Sequence, residues 1–192
     1  QAAFGSRFKK VYAEEAVVQK AALQALAQPG LLLFATHGQN VADLPLRSNL
    51  RLRADESGDN RLTAEEIYMA DVAADIVVLS ACFSGLADRS PLPSDDLFGI
   101  QRALLHSGAR CVVSGLWDVF DSSGVELMNG FFLQFAKGDS SAHALATTQR
   151  SFLAKYRKAN RTAADPFIHP YFWAVYTTAG DDGVRVVPEV VK

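Results

Sequence analysis

Two residues in this chain have the chemistry of a nucleophile and its proton partner: Cys82 and His37, 45 positions apart. A free thiol with a pKa of about 8.5 is mostly protonated at neutral pH, and only its thiolate attacks. A neighbouring imidazole can generate or stabilise that thiolate and then protonate a departing amine. The oxyanion formed on attack needs aimed donors, each worth roughly 2.7–4 kcal/mol. The backbone N–H of Gly38, unobstructed by a side chain, is one candidate; the N–H of Cys82 is the other.

These two residues must be brought together by the elements that precede them. Leu31-Leu32-Leu33-Phe34-Ala35 and Ile76-Val77-Val78-Leu79-Ser80-Ala81 are continuous apolar runs of buried-strand length, followed by Thr36-His37-Gly38 and by Cys82-Phe83-Ser84-Gly85. In open α/β sheets functional groups gather at the carboxyl ends of the strands. If the two strands are neighbours and parallel, His37 and Cys82 leave the sheet at one edge. The pair alone does not decide the matter. A cysteine at a strand end is most often a small buried hydrophobe, and a histidine beside glycine is more often a turn residue.

The remaining reactive side chains have simpler readings. Cys111 lies inside an apolar strand and reads as core packing. His106 falls near a helix C-terminus, where positive charge is favoured; His143 lies on a helix, and His169 precedes Pro170 in a loop. There is no GxSxG elbow, no GxxxxGK[ST] and no GxGxxG, so an α/β-hydrolase and a phosphate cradle both lack their signatures. Asp55, Glu56 and Asp59 do not match an EF-hand loop and read as a solvated turn. With two cysteines and no Cys/His cluster, the pattern offers no zinc site or other metal site.

Alternating apolar runs and amphipathic stretches predict an α/β fold with a largely parallel sheet. Phe8 to Tyr12 reads as a short strand and Glu14 to Ala27 as a helix stopped by Pro29-Gly30. In Ser48 to Leu62, Leu50 and Leu52 alternate with Arg51 and Arg53 around Ser57-Gly58-Asp59-Asn60, which predicts a small exposed hairpin. Thr63 and Glu66 form a capping-box pattern. Ser94 is placed to cap a helix from about Asp95 to His106, closed by Gly108. Cys111-Val112-Val113 begins a strand expected to end at Trp117-Asp118. Helices are expected over Ser123 to Lys137 and Ser141 to Lys158, and a last aromatic strand over Tyr171 to Thr178.

The 192 residues suit one domain spanning the whole chain, with 49% hydrophobic and 21% charged residues. A formal net charge of −2 argues against nucleic-acid binding, which usually shows a basic excess. No apolar run reaches membrane-spanning length, and Gln1 to Lys10 lack a signal-peptide core. The sparse cysteines favour a reducing compartment, the cytoplasm. Opening on Gln1, the chain reads as a piece of something longer.

Several ordered segments then take on a family likeness. Phe34-Ala35-Thr36-His37-Gly38, Val78-Leu79-Ser80-Ala81-Cys82-Phe83-Ser84-Gly85 and Gly108-Ala109-Arg110-Cys111-Val112-Val113-Ser114-Gly115-Leu116-Trp117 resemble the CHAT domain, a caspase-like domain often found with tetratricopeptide repeats. Tyr12-Ala13-Glu14-Glu15-Ala16 and His169-Pro170-Tyr171-Phe172-Trp173-Ala174 extend the likeness over about Phe8 to Gly180. The separation of His37 from Cys82 suits the caspase arrangement, in which the histidine lies about 50 residues upstream.

The resemblance implies a caspase-haemoglobinase fold, a three-layer sandwich of a mostly parallel sheet between helices. It also implies a His37/Cys82 dyad, endopeptidase activity on a protein or peptide substrate, and no metal or organic cofactor. The imidazole in such folds is commonly oriented by backbone, so no third catalytic residue is named. The family's first strand and helix have no counterpart here and are expected upstream in the intact protein, or as a separate fragment held against this one. Phe83 stands where the family commonly has a polar residue. By likeness to separases, Asp118, and with it Asp121, is expected to favour Arg or Lys before the cleaved bond; the plainer reading of Asp121 is a helix N-cap. Leu86 to Pro93 reads as a loop that gates access or is cut on activation. The competing reading keeps the fold as a catalytically silent interaction module. A flavodoxin-like receiver fits His37 and Cys82 poorly.

Overall fold

A computed structural model describes residues 17–41, 43–80, 99–158 and 166–185, and the backbone of 8–13, 98 and 159. Its centre is a five-stranded sheet in the order β1 (Phe8–Ala13), β2 (Leu31–Ala35), β6 (Ile76–Leu79), β7 (Cys111–Gly115) and β8 (Tyr176–Gly180). The first four run parallel, and β8 pairs antiparallel with β7. Leu31, Ile76 and Cys111 share one cross-strand row, Leu32, Val77 and Val112 the next, and Leu33, Val78 and Val113 the third.

Because side chains alternate along a strand, each row faces the opposite layer from its neighbour. The rows of Leu31 and Leu33 pack with Leu127, Met128, Phe131 and Phe135 of α4 (Asp121–Ala136) and with Ala144, Leu145 and Phe152 of α5 (Ser141–Ala159). The row of Leu32, together with Phe34 and Leu79, packs against Ala22 and Leu26 of α1 (Gln19–Leu26), Ile67 of α2 (Ala64–Tyr68), and Ile100, Ala103 and Leu104 of α3 (Phe98–His106). Covered on both faces, β2, β6 and β7 are apolar almost throughout, which is why they are unbroken hydrophobic runs in the sequence. Full burial of a side chain such as Phe34 contributes about 1.5–3 kcal/mol. The result is the three-layer α/β sandwich that the family resemblance implies.

A second sheet of three short strands, β3 (Gly38–Gln39), β4 (Asn49–Arg51) and β5 (Arg61–Thr63), is antiparallel and forms the predicted hairpin plus one strand from the segment after β2. Thr63 closes it with the expected capping box: its hydroxyl accepts from the Glu66 N–H at 3.2 Å, and the Glu66 carboxylate accepts from the Thr63 N–H at 2.8 Å.

Four expectations need correction. The first helix starts at Gln19, because Val18 is extended and the Val17 carbonyl accepts from the Arg53 N–H at 3.0 Å. Strand β7 ends at Gly115, leaving Trp117 and Asp118 beyond it. The helix expected from Ser123 begins at Asp121, whose N-cap is Phe120, so Asp121 is a first-turn residue and not the cap. The aromatic strand expected from Tyr171 is first a short helix, α6 (Pro170–Trp173), and only then β8. Pro170 at the first helical position and His169 Nδ1, accepting from the Tyr171 N–H at 3.2 Å, start that turn. Ser94, the expected cap of α3, lies outside the described residues, among which no helix is long and apolar enough to cross a membrane.

Candidate active site

The carboxyl ends of β2, β6 and β7 lie side by side because the three strands are parallel neighbours. Phe34 and Leu79 are register partners, and the Ser80 N–H donates to the Phe34 carbonyl at 2.9 Å, so the pairing runs to the end of both strands. His37 stands three positions past Phe34, and Cys82 three positions past Leu79. Cys82 itself, Phe83 and the loop from Leu86 to Pro93 lie outside the described residues.

The backbone on which His37 sits is held from both sides. Thr36 is buried, and its hydroxyl donates to the carbonyl of Arg51; the N–H of Arg51 donates to the carbonyl of His37 at 2.8 Å. Gly38 then pairs with Leu50. Beneath, Leu50 and Leu62 are fully buried against the sheet. The hairpin is therefore a brace: its apolar side anchors in the core, and its backbone grips the histidine segment. His37 remains exposed, and Gly38 is buried beside it. On the β6 side, the Ser80 hydroxyl lies 3.4 Å from that of Tyr176, linking the exit of β6 to β8.

Next along the edge, Asp118 is exposed just past β7 and Asp121 is exposed in the first turn of α4. They stand among aromatic rings. Trp117 donates its indole N–H to the Tyr171 carbonyl at 2.9 Å and stacks on the Tyr171 ring with centroids 6.2 Å apart, while Phe120 is 52% exposed. The structure thus places His37, Asp118 and Asp121 at one sheet edge, the edge at which β6 also ends.

Cys111 is at the other end. It is fully buried at the start of β7, its thiol donates to the Ser141 hydroxyl at 3.5 Å, and burial pushes its pKa up against a smaller lowering by that bond. A thiol so placed is a poor nucleophile. Of the other histidines, His106 stacks on Tyr68 with centroids 3.9 Å apart, His169 caps α6, and His143 is exposed on α5. Sequence reasoning passed over Thr36 and Arg51. A buried polar residue immediately before His37 and a period-two Leu/Arg alternation were the available signals.

This order of strands and segments is matched at family level, where the CHAT-domain model covers residues 1–181. The chain belongs to the CHAT family. The CHAT family is caspase-like, which agrees with the mostly parallel sheet between helix layers and the small antiparallel hairpin sheet. Tetratricopeptide repeat protein 28 of Homo sapiens is similar to this CHAT domain, 25% identical over 148 residues, or 77% of the chain and 5% of that protein. Its counterpart in Mus musculus is 27% identical over 121 residues, 63% of the chain and 4% of that protein. The chain therefore spans only a small fraction of the length of these relatives.

Proposed function

We propose that this CHAT domain is a cysteine endopeptidase in which His37 and Cys82 form the dyad. The observation that carries the reading is the pairing of β2 with β6, whose register partners Phe34 and Leu79 are each followed three positions later by one member of the pair. In this reading His37 takes the Cys82 proton, and the thiolate sulfur attacks the scissile carbonyl carbon. The N–H groups of Gly38 and Cys82 stabilise the oxyanion. The C–N bond then breaks, with the imidazolium giving its proton to the departing amine, and water hydrolyses the thioester. Asp118, with Asp121 beside it, supplies negative charge for an Arg or Lys side chain before the cleaved bond.

The relatives' name supports an intact protein in which this domain is associated with tetratricopeptide repeats. A working thiolate fits the reducing cytoplasm. The test is substrate profiling of the wild-type chain beside Cys82→Ala on peptide libraries and on a proteome digest. Cleavage that needs Cys82 and falls after Arg or Lys is expected, with the basic preference lost in Asp118→Ala. Cleavage undiminished in Cys82→Ala would overturn the dyad. No cleavage by wild type, in this chain or in the intact protein, would leave the interaction-module reading in its place.

A further inference from the structure

The outer face of the hairpin sheet carries a charge pattern that the dyad does not use. Gly38 pairs with Leu50, Leu50 with Leu62, and Arg51 with Arg61; the Arg51 N–H to His37 carbonyl bond sets His37 level with Arg51. Two cross-strand rows result. Gly38, Leu50 and Leu62 are buried, whereas His37, Arg51 and Arg61 are all exposed on the opposite face. A histidine of the proposed dyad thus lies in one line with two arginines.

Beside the arginines is an open depression of about 540 Å³, lined by Gln39, Arg51, Asn60, Arg61 and the hairpin tip. The nearby acids are largely engaged within the hairpin. Asp55 accepts from the Ser57 N–H at 2.8 Å, the Ser57 hydroxyl at 2.6 Å and the Asp59 N–H at 3.1 Å. Asp59 accepts from the Arg61 N–H at 3.0 Å and its Nε at 3.3 Å, which steadies the side chain and leaves four further guanidinium N–H donors. Glu56, exposed at the tip, is the remaining acid of the loop.

We infer that this face is a substrate subsite for an acidic side chain, with Arg51 and Arg61 as its specificity-determining residues. Guanidinium forks match carboxylates in geometry and charge. Neighbouring strands are about 4.8 Å apart and an extended peptide advances roughly 3.3 Å per residue, so the acidic residue falls roughly two to three positions from the scissile bond. The inference rests on the peptidase reading for the position of that bond, and the test separates the two.

Fluorescent peptide pairs with Asp or Asn at those positions are titrated against Cys82→Ala, in which cleavage is removed, and the same pairs are offered to the chain with Cys82 intact. Exposed ion pairs are modest, so about a fivefold tighter binding of the Asp peptide is expected, weakening with added salt. Arg51→Ala and Arg61→Ala each reduce the preference, the double variant abolishes it, and Arg51→Glu shifts it toward a Lys peptide, all with unchanged melting temperature. Equal binding of Asp and Asn peptides, or a preference that survives in the double variant, overturns the subsite. A binding preference that follows Arg51 and Arg61 without cleavage by the intact chain supports the subsite and counts against the peptidase reading.

Discussion

The two edges of the central sheet are built to different ends. At the edge where β6 and β7 begin, Arg110 donates to Asp75 at 3.2 Å and to Asp181 at 2.8 Å, while Asp75 also accepts from the Gly30 N–H at 3.0 Å. Gly180, at φ +91°, brings the chain so close that a Cβ there would lie 2.4 Å from the Arg110 carbonyl oxygen. One cysteine, Cys111, is sealed within this edge. At the opposite edge His37, Asp118 and Phe120 are exposed. At one edge the charged groups Arg110, Asp75 and Asp181 pair with one another; at the other, His37 and Asp118 are exposed above backbone held by Thr36 and Arg51. The same sequence thus carries a structural cysteine at the start of β7 and a candidate nucleophile, Cys82, three positions past Leu79 at the end of β6.

Exchange of the cysteines for alanine sharpens this contrast most. Cys82→Ala is expected to lower kcat/KM by at least about a thousandfold, as loss of a nucleophile does. Cys111→Ala should leave peptide cleavage intact and cost about 1 kcal/mol in a denaturant titration. A smaller effect belongs to the brace. Thr36→Val removes the hydroxyl bond to Arg51, and kcat/KM should fall about tenfold through misplacement of His37. Its stability cost should be only about 1 kcal/mol, so activity is lost well before the fold. If Thr36→Val cleaves normally, the hairpin braces the fold and not the site.

At the closed edge the order reverses. Gly180→Ala forces a side chain against the Arg110 backbone and into a left-handed conformation, and should destabilise by more than about 1 kcal/mol with activity per folded molecule unchanged. The smallest effect concerns acid. The Arg110 guanidinium, followed by the Gly183 N–H, holds the Asp181 carboxyl below the usual 3.8. A depressed carboxylate pKa contributes stability that is present above 3.8 and is lost as pH falls through the lower folded value. Asp181→Asn should therefore flatten the acid limb of the stability profile below about pH 4, by a small amount because the pair is solvent-exposed.

Much of this fold was legible because its information is local. Leu31 to Ala35 and Ile76 to Leu79 are apolar on both faces, and the Thr63/Glu66 box states its own hydrogen bonds. What was not legible depends on partners distant in sequence. Two residues, Gly38 and Gln39, become a strand only because Asn49 and Leu50 lie across from them. Val18 stays extended although it borders a helical pattern, since Arg53 binds the residue before it. Tyr171 to Trp173 has strand-like composition, yet Pro170 and the His169 side chain set a helical turn. At the candidate site, the residue types and strand ends were readable. The grip of Arg51 on His37 was not, because it needs the hairpin register.

The central claim is that chemistry belongs to Cys82 at the carboxyl edge and depends on His37. Treatment of the native chain with a peptidyl electrophile, followed by mass spectrometric mapping of the modified cysteine, tests it directly. Label on Cys82 alone, lost in His37→Ala, is the predicted result. Label on Cys111, or label on Cys82 that persists undiminished in His37→Ala, would contradict it.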